Sequence, residues 1–224
     1  VALPESAQEV AAVVSAAREA GWTVAPGFSE AAGDRVVALS LENDAGMIEV
    51  LPADLQALVP GGVAVGRLGE VLGAQGLVWP VAEFAGSGEL VGDVIARAPG
   101  NWTLLGNILR RSVLALDVVL PSGEIVRLGA RTVKSVTGYD LKQLFIGSRG
   151  TLGVVVSAVL RLESEKKLAQ IVERYRRDFA EPGGASGGFG DGPDGSLVIL
   201  ERLKREIDPD GVFPEATAAW EAAG

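Results

Sequence analysis

"KSVTGYDLKQLFIGSRGTLGVVVSAVLRL", residues 134–162, sets Gly147, Gly150 and Gly153 three apart, directly ahead of long apolar strand material. Glycine weakens a strand, because it has no side chain to pack and loses the most conformational freedom on ordering. Its use beside a strand is therefore a tight turn or a close approach of backbone. The partner in that approach is another strand, as in a β-bulge, or a ligand, and the spacing leaves both open. Thr151 to Leu162 is β-branched enough to predict the strand itself. Asp140 is placed to cap a short helix carrying Leu141, Leu144 and Phe145.

Upstream, "VLALDVVLPSGEIVRLG" (113–129) predicts two strands about a Pro-Ser-Gly-Glu turn. Further back, "ELVGDVIARAPGN" (89–101) predicts a loop leading into a short helix, and Val65 to Gln75 a helix with Leu68, Val71 and Leu72 on one face. Strands are predicted over 22–25, 35–41, 47–51 and 54–59. Ser6 and Glu9 make a capping box for a helix bearing Val10, Val13, Val14 and Ala17, with Gly21 placed just past its end. Downstream, 166–179 and 197–206 are helix-compatible, and "EPGGASGGFGDGPDG" (181–195) reads as a linker. Its "GDGPDG" has Gly-x-Gly-x-x-Gly spacing, but no strand precedes it and Pro193 stands near the expected helix start, so the dinucleotide reading lacks its frame.

The 224 residues, 48% of them hydrophobic, are enough for a sizeable core in one α+β domain or two small ones. The formal charge of −9 argues against a nucleic-acid partner, which needs a basic face. With no cysteine, this chain ligates no iron–sulfur cluster and forms no disulfide. With no histidine, it lacks the usual general base near neutral pH and the commonest metal ligand. Acidic residues show no metal-site spacing, so no metal ligand and no catalytic residue is assigned. No apolar run is long enough for a membrane span, and the start has no signal-peptide pattern, so a cytoplasmic location is expected.

Several residues are candidates for phosphate recognition. Gly92 precedes a helix whose free N–H groups suit an anion, although Asp93 suits a plain capped helix better. Lys134 near a glycine turn, and Arg110 beside Arg111, could hold a diphosphate, although such residues are more often solvated or paired with carboxylates. Tyr139 is of a type more often used for packing, with its hydroxyl satisfied, than as a catalytic acid. Residue chemistry alone reaches an α+β domain with a possible phosphate-bearing ligand.

The order and spacing of Gly123, Gly129, Lys134, Gly138, Tyr139, Asp140, Leu141, Gly147, Ser148, Gly150, Thr151, Leu152 and Gly153 add a resemblance. Residues 116–162 resemble the FAD-binding domain of the p-cresol methylhydroxylase and vanillyl-alcohol oxidase superfamily, nearest its glycolate oxidase and D-lactate dehydrogenase branch. Residues 4–26, 54–80 and 202–213 are similar to the family's opening helix and strand, a middle segment and its C-terminal "DP" stretch. The resemblance implies an α+β, two-subdomain PCMH-type FAD-binding fold with a much reduced cap. The FAD-binding domain would span 1–163, in subdomains 1–52 and 53–163. Residues 164–224 would hold a vestigial cap, the Gly-rich linker and a C-terminal tail.

It further implies noncovalent FAD on Gly27, Ser29, Gly92, Asp93, Gly100, Arg110, Lys134, Gly138, Tyr139, Gly150, Gly153 and Val154. Gly150, Gly153 and Val154 would present bare backbone, so a side chain at Gly150 or Gly153 would take cofactor space. Three features depart from the family pattern. The loop "PGFSEAAGD" (26–34) keeps Gly27 and Ser29 but lacks two glycines, Asp93 stands for a glycine, and Arg111 stands for an aspartate. About forty residues occupy the place of a substrate-binding cap. The resemblance thus implies an FAD-binding subunit of a 2-hydroxy-acid oxidoreductase resembling glycolate oxidase. Its partners would be a full-length flavoprotein subunit, supplying the substrate pocket, and an iron–sulfur subunit. The alternative is a scaffold or regulatory subunit that keeps the fold and has lost FAD.

Overall fold

The computed structural model describes residues 1–26, 33–97, 104–130, 140–180 and 194–215. The chain opens with α1 (Ala7–Ala20), started by the Ser6 hydroxyl accepting from Glu9 N–H at 3.3 Å and stopped by Gly21 at φ +66°. Glu9 completes the cap one residue early, its carboxylate accepting from the Glu5 rather than the Ser6 amide. Val10, Val14 and Ala17 form the buried stripe. Two short parallel strands follow, β1 (Thr23–Pro26) and β2 (Val36–Leu39), paired with Pro26 opposite Leu39.

The main sheet is antiparallel, in the order β3 (Glu49–Leu51), β4 (Gln56–Pro60), β8 (Val154–Arg161), β6 (Val113–Val119), β7 (Ile125–Gly129). β4 begins two residues later than expected, because Pro52–Asp54 turns as a 3-10 helix and Leu55 takes φ +52°. Between these strands run α2 (Val65–Gly73), β5 (Leu77–Val78), α3 (Val91–Ala96), α4 (Leu104–Ser112) and α5 (Lys142–Phe145). β9 (Glu163–Ser164) pairs with β5, and α6 (Glu165–Ala180) and α7 (Asp194–Ile207) close the chain.

The central strand β8 explains why its sequence is almost continuously apolar. Val155, Ala158 and Leu160 join one core with Trp79, Leu68, Leu72, Ile95 and Leu109. Val154 and Val156 point the other way, into a second core with Val10, Val14, Leu39 and Leu41. Alternation sends Val154 and Val155 to opposite faces, a register shift against β6 between Val155 and Ser157 returns Ala158 and Leu160 to the Val155 side, and both faces are covered. Trp79, fully buried, satisfies its indole N–H on the Ser112 hydroxyl at 3.1 Å, which donates onward to Leu109 O.

The second core also receives Val212 and Phe213 from the chain's far end. Val24 N–H donates to Val212 O at 2.6 Å, so the tail extends the edge of β1. Asp140 differs from expectation. α5 starts at Lys142 with no side-chain cap, and the Asp140 carboxylate instead accepts from Lys142 Nζ and Gln143 Nε2. Burial pushes the Asp140 carboxyl up, but those two bonds and the nearby charges of Lys142 and Arg110 outweigh it, leaving its pKa below the ordinary value. An ammonium two residues away is a stronger partner for the carboxylate than the amides of a one-turn helix.

Candidate functional site

A cleft opens where the two cores meet along β8. It is lined by Leu39 and Leu41 from the β2 side, Gly92, Asp93 and Ala96 from α3, and Gly150, Gly153, Val154 and Val155 from the β8 side. Five sequence candidates, Gly92, Asp93, Gly150, Gly153 and Val154, thus converge on one place. They come from segments some sixty residues apart in sequence, and the sheet is what joins them.

α3 is held at both ends. At its start, Val91 N–H donates to Val63 O at 2.9 Å and Gly92 N–H to Gly61 O at 2.8 Å. A Cβ at Gly92 would lie 2.6 Å from Val155 O and 3.3 Å from Gly61 Cα, so this glycine serves the contact of helix with sheet. At its end, Ile95 O and Ala96 O accept from Gly147 N–H at 3.0 Å and Arg149 N–H at 2.8 Å. These carbonyls are two of those that a helix C-terminus leaves without intrahelical partners. The donors come from a turn with three left-handed residues, Gly147, Arg149 and Gly150 at φ +80°, +56° and +73°. Thr151, fully buried, fastens the turn by donating its hydroxyl to Ser148 O at 2.7 Å.

Gly153 corrects one expectation. Its backbone lines the cleft, but a Cβ there would point into the sheet, 2.7 Å from Val118 Cγ1 and 2.8 Å from Val119 O. A side chain at this position would meet protein, not cofactor. Of the open readings of the glycine spacing, close approach to a neighbouring strand accounts for Gly153, and a left-handed turn accounts for Gly147 and Gly150.

Arg110 lies outside the cleft lining. From α4 its guanidinium donates to Gln143 O at 3.0 Å, Gln143 Oε1 at 2.8 Å and Ile146 O at 3.1 Å, leaving buried Nε without a protein partner. It ties down the chain just before the Gly147–Gly150 turn. Arg110→Met is expected to lower stability by about 2 kcal/mol through loss of these charged hydrogen bonds, and Arg110→Lys to recover only part of it. Urea unfolding of the three proteins measures this.

Asp93 is the one lining residue that carries a charge. Burial pushes its carboxyl up to about 6, with Arg97 opposing the rise and Glu89 adding to it. Asp44, behind the neighbouring Gly62, is pushed up to about 6 by burial as well.

Gly27, Ser29, Gly100, Lys134, Gly138 and Tyr139 lie outside the described residues. The chain runs into two of these segments from the edge of the cleft, since Pro26 stands opposite Leu39 and Ala96 is itself in the lining. The carboxyl ends of the parallel pair β1–β2 thus lie at the edge of the cleft. Leu39, Leu41, Ala96 and Val155 were not foreseen in the sequence, nor was the role of Gly61 and Gly62. A Cβ at Gly62 would come within 1.8 Å of Leu41 O. The adjacent glycines in "PGG", between a strand and a helix, were the available signal. Among the described residues no cluster of acidic side chains could hold a metal ion, and no helix is long and apolar enough to cross a membrane.

The cleft is walled by small apolar side chains and bare backbone, and Asp93 alone is adverse to an anion. The profile of the family described as FAD binding domain matches residues 1–129. A D-2-hydroxyglutarate dehydrogenase of Xanthomonas citri pv. viticola is 37% identical over 171 residues, covering 72% of this chain and 36% of that protein. A glycolate oxidase subunit of Bacillus subtilis is 33% identical over 132 residues, covering 57% of this chain and 28% of that protein. Among solved structures, an alkyldihydroxyacetonephosphate synthase superposes with a TM-score of 0.58 at 20% identity, over 72% of this chain and 31% of the other. That likeness is one of fold, and it agrees with the expected α+β, PCMH-type class. The matched part of this chain spans 36% and 28% of the two relatives' lengths.

Proposed function

Because the chain belongs to the family of PCMH-type FAD-binding domains, we propose that it binds FAD noncovalently in the β8–α3 cleft, as the cofactor-bearing part of a 2-hydroxy-acid oxidoreductase resembling glycolate oxidase. The observation that carries this reading is the convergence of Gly92, Asp93, Gly150, Gly153 and Val154 on one cleft. Bound FAD supplies the hydride acceptor. Leu39, Leu41, Ala96 and Val154 keep water from the walls, and the doubly tethered α3 and the Gly147–Gly150 turn fix the cleft's width. Noncovalent attachment is supported by the lack of histidine and cysteine, the usual points of flavin linkage, in this chain.

The substrate pocket belongs, in this reading, to another polypeptide, a full-length flavoprotein subunit working with an iron–sulfur subunit. The relatives named for 2-hydroxy acids support the reaction class, and the one named as a subunit supports the assembly. This chain carries no histidine to take the hydroxyl proton of a hydroxy acid, and a well-placed general base contributes about a hundredfold or more in rate. A second reading, a scaffold subunit that has lost FAD, is favoured by one observation, the Asp93 carboxylate inside the cleft.

Titrating the purified chain with FAD separates the two. Quenching of flavin fluorescence is expected, with the flavin released intact on acid precipitation. Anaerobic addition of glycolate or D-lactate is expected to leave the flavin band unbleached until a partner is added. Failure to bind FAD under any condition supports the scaffold, and bleaching by this chain alone removes the partner-supplied pocket.

A further inference from the structure

The end of α3 that carries Ala96 into the cleft is met by two amides, Gly147 N–H on Ile95 O and Arg149 N–H on Ala96 O. Each amide belongs to a peptide unit that is gripped on its other side as well. A trans peptide is planar, and its C=O and N–H point in opposite directions. In the Ile146–Gly147 unit, Ile146 O accepts from Arg110 Nη2 at 3.1 Å while Gly147 N–H reaches Ile95 O at 3.0 Å. In the Ser148–Arg149 unit, Ser148 O accepts from the Thr151 hydroxyl at 2.7 Å and from Thr151 N–H at 3.1 Å. The far side of that unit, Arg149 N–H, reaches Ala96 O at 2.8 Å. Turning either plane therefore disturbs the bonds on both of its sides.

Packing alone does not fix these planes. Phe145 and Ile146 are buried in the first core, which sets how deep the segment lies. The peptide that follows Ile146 can still turn about the soft dihedrals on either side of it. Gly147, at φ +80°, adds no steric restraint of its own. The restraint comes from the donors behind the planes, Arg110 and Thr151. Neither residue is in the cleft lining, and Thr151 is fully buried.

Resting on the FAD reading above, we infer that Arg110 and Thr151 are positioning residues of the cofactor cleft. They act through the two peptide planes, which hold the last turn of α3 and so the spacing of Ala96 from Gly150 in the lining. Arg110 serves the Ile95 contact and Thr151 the Ala96 contact, so each residue has its own amide to report on it.

The parent is compared with Arg110→Met and with Thr151→Val, which keeps the side chain's shape and removes its hydroxyl. All are held at a temperature where they are folded. Amide hydrogen exchange of the cofactor-free proteins, followed by NMR, gives the ratio of the Gly147 rate to the Arg149 rate. Global destabilisation moves both rates together and leaves the ratio alone. The ratio is expected to rise about tenfold in Arg110→Met, through loss of a charged hydrogen bond. It is expected to fall about threefold in Thr151→Val, where Thr151 N–H still holds Ser148 O. FAD titration by fluorescence quenching is expected to show about tenfold weaker binding by Arg110→Met and a smaller loss by Thr151→Val. If Arg110→Met does not fold, the fall in Thr151→Val carries the test. An unchanged ratio in the folded variants overturns the inference, as does a shift in the same direction in both. Shifted ratios with FAD bound as tightly as by the parent overturn it too, since the two planes would then not set the cleft. Absence of FAD binding by all three proteins, with the ratios shifted as expected, overturns the FAD reading and the cofactor role of both residues, while their hold on α3 stands.

Discussion

Gly153→Val is expected to unfold or severely destabilise the cofactor-free protein, by about 3 kcal/mol or more, before cofactor affinity is in question. The first added atom already lies 2.8 Å from Val119 O and 2.7 Å from Val118 Cγ1, with Phe145 Cε1 at 3.2 Å. Val119 O is backbone of the neighbouring strand β6, so relief requires spreading β6 from β8 at the centre of the sheet. Val118 is fully buried in the first core and Val119 in the second, so neither side can yield without opening a cavity. Gly153→Ala isolates the Cβ and should show most of the loss. Urea unfolding of the apo protein measures it as a fall in midpoint at unchanged slope. An alanine variant with the parent's midpoint and weakened FAD binding would restore the view that this glycine makes room for cofactor.

Gly153 also marks what could and could not be read from the chain. Features set by neighbours in sequence were legible. The Ser6 cap, the Gly21 stop and the 113–129 hairpin each rest on contacts within a few residues. The cleft was legible in part, because the residues that make it stand in a recognisable pattern. The direction of a glycine's missing side chain was not, because it depends on which strand lies alongside. α4 was missed because "LLGNILRRS" places Gly106 and Asn107 in the helix interior, both poor helix formers. Its stability comes from burying Ile108 and Leu109 and from the Ser112–Trp79 bond, which are tertiary. Leu39 and Leu41 likewise read as ordinary strand residues, since the cleft they face is made by segments far along the chain.

The turn after α7 is built on a buried ion pair. A Lys and an Asp four apart are ordinarily a solvated surface pair of little consequence. Here Lys204 and Asp208 are 3% and 4% exposed, and the ammonium is bonded to the carboxylate and, at 2.9 Å, to Phe213 O. The other bonds of the carboxylate go to the backbone, Oδ1 accepting from Val212 N–H at 2.8 Å and Oδ2 from Phe213 N–H at 2.9 Å. Asp208 thereby folds the tail back on itself, with Gly211 at φ +66° making the turn, so that Val212 and Phe213 enter the second core and Val212 O meets β1. Asp208→Ala leaves a buried ammonium without a counter-charge and two buried amides without acceptors, and is expected to cost roughly 3–5 kcal/mol. Since a domain of this size has about 5–15 kcal/mol in all, the variant should unfold well below the parent in temperature. Lys204→Met combined with Asp208→Ala is expected to lose less than Asp208→Ala alone, because the stranded charge is gone while the amides remain unpaired. The reverse order, a double variant weaker than the single by the full cost of Lys204→Met, would show that the pair is not coupled. Because the tail supports β1, whose Pro26 stands opposite Leu39 at the cleft, Asp208→Ala should also weaken FAD binding at temperatures where the variant is still folded.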